Sequence, residues 1–100
     1  MEKLKPTHNL EAFKAAFAKH QSVTKTALLS ARRLGYERQD LVKALSKLTR
    51  QQFQKSMTSY ENHRQWQDVY HLEVDGSLIY VKFTDHVITE FILLSFKEGS

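Results

Sequence analysis

The spacing of apolar residues changes once along the chain, near residue 50, and that change constrains the fold more than any other feature. Before it, Leu10, Phe13 and Phe17 recur three and four apart, as do Ala27, Leu28, Ala31 and Leu34, and then Leu41, Val42, Leu45 and Leu48. Such spacing places the side chains on one face of a helix. After it, aromatic and β-branched residues alternate with polar ones, the period of a strand. Helices followed by strands predict an α+β fold, with N-terminal helices packed on a C-terminal antiparallel sheet.

Local signals set the boundaries. Asn9 is a cap for a first helix, with Glu11 in its first turn and Pro6 safely before it. A second helix starts at Ser22 or Thr24 and ends at Leu34, with Gly35 in the position that tolerates positive φ. A third runs from about Arg38 to Leu48, and Thr49 with Gln52 resembles the start of a short extra turn. Strands are expected at 53–59, 66–74, 77–84 and 89–97. Asp75-Gly76 is a strong two-residue hairpin signal. Asp85-His86-Val87-Ile88 reads as a second connection.

One domain over residues 1–100 is expected, since 100 residues can bury a modest core without staples. Hydrophobic content of 41% against 26% charged places the chain among folded domains, not disordered ones. With no cysteine, a disulfide framework, a thiolate metal site and a cysteine nucleophile are excluded. No run of 18 apolar residues exists, and MEKLKPTHN lacks the apolar core of a signal peptide. A cytoplasmic protein with no membrane contact is the expectation. The net charge of +4 permits an anionic partner such as nucleic acid without requiring one.

The hairpin assigns side chains to faces. A turn at Asp75-Gly76 pairs Val74 with Ser77, hence His71 with Tyr80 and Val69 with Lys82. Alternation then puts Gln67, Val69, His71, Leu78, Tyr80 and Lys82 on one face. If a four-residue connection pairs Thr84 with Thr89, Tyr80 faces Leu93, and Phe91, Leu93, Ser95 and Lys97 join them. The opposite face collects Trp66, Asp68, Tyr70, Leu72, Val74, Ile79, Val81, Phe83, Ile92, Leu94 and Phe96. That set is heavily apolar and should pack on the helices. The first face is polar. An antiparallel sheet ordinarily wets one face. Yet lysine, tyrosine, histidine and glutamine are also what a surface contacting phosphates and bases needs.

The residues limit the chemistry available. The five histidines (His8, His20, His63, His71 and His86) are scattered and show no metal-binding spacing. There is no GxSxG elbow, and Gly35, Gly76 and Gly99 are isolated, so no phosphate loop is present. Metal-free RNA cleavage asks for less. The nucleophile is the substrate's own 2′-hydroxyl, and the protein needs only to move protons and stabilise charge on the phosphorane. Clustered lysines with a tyrosine suffice, because neighbouring cations depress a lysine's pKa. From the residues alone three readings stay open: a ribonuclease, a non-catalytic RNA- or DNA-binding module, and a protein-interaction domain.

The stretch FQKSMTSYENHRQWQDVYH, Phe53 to His71, strongly resembles the MqsR toxin family of bacterial toxin–antitoxin modules, in which KSMT is followed by a tyrosine, a histidine and WQDVY. Ile79-Tyr80-Val81-Lys82 and Leu94-Ser95-Phe96-Lys97-Glu98 resemble the family's later strands. Thr26-Ala27-Leu28-Leu29 and Leu34-Gly35 match its helical half more loosely. The resemblance covers essentially the whole chain and implies a RelE-like toxin fold. It implies a sequence-selective endoribonuclease that cuts messenger RNA at GCU-like sites and halts growth, with no metal or other cofactor. It also implies a cognate antitoxin that binds zinc and DNA, so that operator DNA is reached only through the antitoxin. Carried over residue by residue, the family's active-site positions fall on Lys55, Gln67, Tyr80 and Lys97. Lys82 and His63 are further substrate contacts, while Trp66 and Asp68 read as structural. Two features depart from the pattern: Gln54 stands where an aromatic is usual, and the connection from Tyr80 to Ser95 is about two residues longer.

Overall fold

The computed structural model describes residues 1–99. In chain order the elements are β1 (Glu2–Lys3), α1 (Leu10–His20), α2 (Lys25–Arg33), α3 (Arg38–Leu45), a 3-10 turn (Arg50–Gln52), β2 (Phe53–Thr58), β3 (Trp66–Val74), β4 (Ser77–His86) and β5 (Glu90–Glu98). The strands form one antiparallel sheet in the order β1-β2-β3-β4-β5. This is the α+β arrangement that the change of period predicts.

The helix starts are where the caps place them. Asn9 Oδ1 accepts from Ala12 N at 2.9 Å, and Thr24 Oγ1 accepts from Ala27 N at 3.2 Å. Both satisfy backbone donors that have no partner within the first turn. Gly35 follows α2 with φ +89°. The third helix stops at Leu45, three residues before the expected end. Lys47 N and Leu48 N instead bond the carbonyls of Ala44 and Leu45, three residues back, so the chain tightens as it leaves the helix. Leu48 still reaches the core.

The helices cover one face of the sheet. Phe13 of α1 stacks on Phe83 of β4, with ring centroids 3.7 Å apart and planes within 3°. Leu10, Leu28, Leu41, Leu45, Tyr70, Leu72, Val81 and Phe96 close the core around them. The N-terminal arm packs on the same side. Thr7 N and His8 N donate to the Asp68 carboxylate at 3.2 and 2.8 Å, and His8 Nε2 lies 2.9 Å from Trp66 O. Lys3 Nζ sits 4.2 Å above the Trp66 ring. Trp66 and Asp68 thus serve the fold, as alternation indicates.

The hairpin register is the expected one: Val74 pairs with Ser77, His71 with Tyr80, and Val69 with Lys82. Asp75 and Gly76 have φ of +50° and +80°, as a type I′ turn demands. The next register departs from expectation. β4 continues to His86, which pairs with Glu90, and Tyr80 pairs with Lys97 where Leu93 is expected. The register also shifts within this hairpin. Lys82 pairs with Ser95 but Phe83 pairs with Leu93, so Leu94 is the extra residue of a bulge. A bulge reverses alternation. Phe91 and Leu93 therefore turn towards the helices, contrary to the expected open face. Leu93 is fully buried, and the Phe91 ring meets Phe13 at 5.9 Å. Beyond the bulge Ser95 and Lys97 return to the open face. The bulge lets both halves of β5 bury their apolar residues, which a uniform strand of this sequence cannot do.

Candidate active site

The face turned away from the helices carries three rows of side chains, set by the strand register. One row is Lys55, Val69, Lys82 and Ser95; a second is His71, Tyr80 and Lys97; a third is Met57, Gln67, Thr84 and Ile92, with Glu2 beside Met57. Lys55 reaches this face through a second irregularity. Phe53 pairs with Tyr70 and Lys55 with Val69, so Gln54 is the extra residue in β2. Phe53 thereby turns its ring to Tyr70 on the core side, 5.5 Å between centroids, while Lys55 points the other way.

Val69 is 1% exposed although it lies outside the cluster beneath the helices. Lys55 and Lys82 flank it in register on this face. Tyr80 stands in the next row. Its ring lies 5.4 Å below Lys97 Nζ and 6.1 Å from the His71 ring. A concavity of about 560 Å³ opens here, lined by His71, Tyr80, Lys97, Glu98 and Gly99.

Electrostatics divides these groups into two kinds. Burial, then Lys97, then Lys55, lowers the Lys82 pKa below the usual lysine value. Clustered cations contribute to this lowering, but burial is the larger cause. Lys55 goes the opposite way, because its hydrogen bond to Glu2 favours the ammonium. The contact is a 2.9 Å ion pair between Lys55 Nζ and Glu2 Oε2. Tyr80 is held as a neutral phenol: burial raises its pKa, only partly opposed by Lys55.

The expected site residues are therefore not equally placed. Lys55, Tyr80, Lys82 and Lys97 occupy adjacent rows and sense one another's charge. Gln67 shares their face but lies one row beyond Lys55 and Lys82, two rows from Tyr80, and is nearly buried. His63 stands apart on the exposed β2–β3 loop, where it borders a cleft of about 440 Å³ with Met1, Met57, Thr58, Ser59 and Tyr60. Another cleft, about 290 Å³, lies on the helix side beside Tyr36, Asp40, Lys43 and Val74. Its carboxylate, Asp40, accepts from Glu37 N at 2.8 Å and so serves as a helix cap. Among the described residues, no three histidine, aspartate or glutamate side chains group closely enough to hold a metal ion.

One neighbour of the site escapes reasoning from sequence: Glu2 arrives through a two-residue strand that has no period to detect. His71, expected opposite Tyr80 from the Asp75-Gly76 turn, lies there.

Comparison with known proteins bears on this arrangement. Residues 5–98 match the family model described as motility quorum-sensing regulator, toxin of MqsA. The chain is also similar to the mRNA interferase toxin MqsR of Escherichia coli (strain K12), with 36% identity over 99 residues, covering 98% of this chain and 99% of that protein.

Proposed function

Because the chain belongs to the MqsR toxin family, we propose that it is an mRNA interferase, an endoribonuclease toxin whose reaction centre is the group Lys55, Tyr80, Lys82 and Lys97. The observation that carries this reading is a neutral tyrosine set among three lysines, one of them biased towards losing its proton and another towards keeping it.

The division of protonation suggests roles. Lys82, in its neutral form, takes the proton from the 2′-hydroxyl as that oxygen attacks the adjacent phosphorus. Lys55 and Lys97, as ammonium ions, face the non-bridging oxygens and stabilise the phosphorane. Tyr80 is a neutral donor able to protonate the departing 5′-oxygen. The P–O5′ bond breaks as the 2′-O–P bond forms, leaving a 2′,3′-cyclic phosphate and a 5′-hydroxyl. No step needs a metal or other cofactor. Gln67 contributes by holding the RNA beside the lysines, and His63 by contacting it further along the strand. The substrate is mRNA with GCU-like sites, and cleavage arrests growth. The partner is a cognate antitoxin, consistent with the name of the matching family model. That the antitoxin binds zinc and carries the pair to operator DNA follows from the family resemblance. So does the cytoplasm as the place of action; among the described residues, no helix is long and apolar enough to cross a membrane.

The test is cleavage of a defined mixed-sequence RNA pool, free of ribosomes and with EDTA present. Wild type should cut at a restricted set of sites and leave cyclic phosphate ends. Lys55→Ala and Tyr80→Phe should each lose 100-fold or more, about the size of a proton-transfer or charge-stabilising contribution. Intact RNA at high wild-type concentration would refute the catalytic reading. Salt-sensitive binding without any product would then favour a binding module.

A further inference from the structure

We propose that Glu2, carried by the terminal strand β1, is a positioning residue for Lys55. The proposal rests on the ribonuclease reading above and adds a residue that lies outside its chemistry. The geometry starts with the edge of the sheet. β1 is only two residues long, yet it is held at both ends. Glu2 pairs with Met57 and Lys3 with Ser56, Thr58 N donates to Met1 O at 3.0 Å, and Asp68 fixes the chain at Thr7 and His8. Glu2 is therefore delivered by backbone pairing to the outer side of Lys55, opposite to Tyr80 and Lys82, and its carboxylate grips Lys55 Nζ at 2.9 Å.

A lysine ammonium has three donors. Glu2 uses one from the outside, and two remain for a phosphate over the centre of the face. The four-carbon stem of an unheld lysine samples many rotamers, so a fixed partner lowers the cost of placing its charge. The contact also settles which lysine keeps its proton. Lys55 faces Glu2 from β1 and interacts with the charges of Tyr80 and Lys82 from β4, while His71 from β3 and Lys97 from β5 stand with Tyr80 in the neighbouring row. Glu2 makes the ion pair with Lys55, and its hydrogen bond is the largest influence on the Lys55 charge. It also opposes ionisation of Tyr80. Both groups need their protons in the proposed reaction, so Glu2 protects the alkaline side of the activity profile.

The experiment compares wild type with Glu2→Gln, Glu2→Asp, Lys55→Ala and the double variant, by kcat/KM against pH on one defined RNA. β1 is held by its backbone, so Glu2→Gln should melt like wild type. It should lose about 10-fold in kcat/KM, as a misplaced catalytic group does, and its alkaline limb should move to lower pH. Glu2→Asp should restore part of both. Combined with Lys55→Ala, Glu2→Gln should cost nothing further. An unchanged rate and profile overturns the proposal. So does a rate above wild type, which would make the contact a restraint on Lys55. A loss undiminished in the Lys55→Ala background overturns it as well. An NMR titration of the Lys55 side chain reads the contact without any cleavage. Glu2→Gln should lower the Lys55 pKa, and no change there overturns the coupling even if wild type proves inactive. Inactive wild type with an intact coupling condemns the ribonuclease reading instead, and with it the catalytic use of Glu2.

Discussion

Lys82 and Lys55 are the same residue type in one row of one sheet, with Val69 between them. Their environments nevertheless push their protons in opposite directions. Lys82 is partly buried between two cations, and Lys55 faces a carboxylate. A lysine that must accept a proton cannot be replaced by arginine, which does not deprotonate. Lys82→Arg is therefore expected to bind RNA as wild type does while kcat falls about 100-fold or more, measured by single-turnover cleavage beside equilibrium binding. Equal losses in binding and kcat would make Lys82 a phosphate contact only. Lys97→Ala removes one of the charges that depress Lys82. The Lys82 pKa then rises, and the ascending limb of the pH–rate profile should move to higher pH while overall RNA affinity weakens.

Two extra residues, Gln54 in β2 and Leu94 in β5, govern what the strands present. Each reverses alternation part-way along its strand, so that aromatic residues at one end reach the helices while lysines at the other reach the open face. One side chain, Asp68, anchors the inner end of the N-terminal arm. The Asp68 carboxylate accepts from both Thr7 N and His8 N and is fully buried. Asp68→Ala leaves two amide donors unpaired and should cost about 2–4 kcal/mol, read from denaturant unfolding. Freed of this anchor, β1 should release Lys55, so activity should fall further than global unfolding explains. Cleavage by the folded fraction that matches wild type would separate the arm from the site.

Across the molecule, one apolar layer joins helices to sheet, and its centre is the Phe13–Phe83 stack. Phe83→Ala should destabilise by about 3–5 kcal/mol, measured in urea. Tyr70 brings an unsatisfied polar group into that layer. Its hydroxyl is buried without a hydrogen-bond partner among the described residues, and burial pushes its pKa up to about 12, assisted by Asp68. An unfolded tyrosine titrates near 10. The contribution of the neutral phenol is thus fully present below pH about 10 and is lost as pH rises towards about 12. Tyr70→Phe should raise stability at neutral pH by about 1 kcal/mol and move alkaline unfolding to higher pH, followed by circular dichroism. A destabilised Phe variant would show that the hydroxyl is satisfied.

The helices, the α+β class, the Asp75-Gly76 hairpin and the pairing of His71 with Tyr80 were legible because each rests on a local signal: a period, a cap or a turn needing positive φ. Those signals put Gln67, Tyr80 and Lys82 on one face, and the same alternation set Trp66 and Asp68 towards the helices. The sheet had to close before the remainder was settled. A bulge at Leu94 has no local mark, since its advantage lies in burying Phe91 and Leu93 against helices far earlier in the chain, Phe91 against Phe13 among them. For that reason the position of Lys97 directly across from Tyr80, and the turning of Leu93 inwards, could not be read from alternation. Glu2 is the furthest case. Two residues hold no period, and they become a strand only where β2 offers an unpaired edge. The charge state of Lys55 thus depends on a carboxylate 53 residues away in the chain, brought to it by backbone pairing.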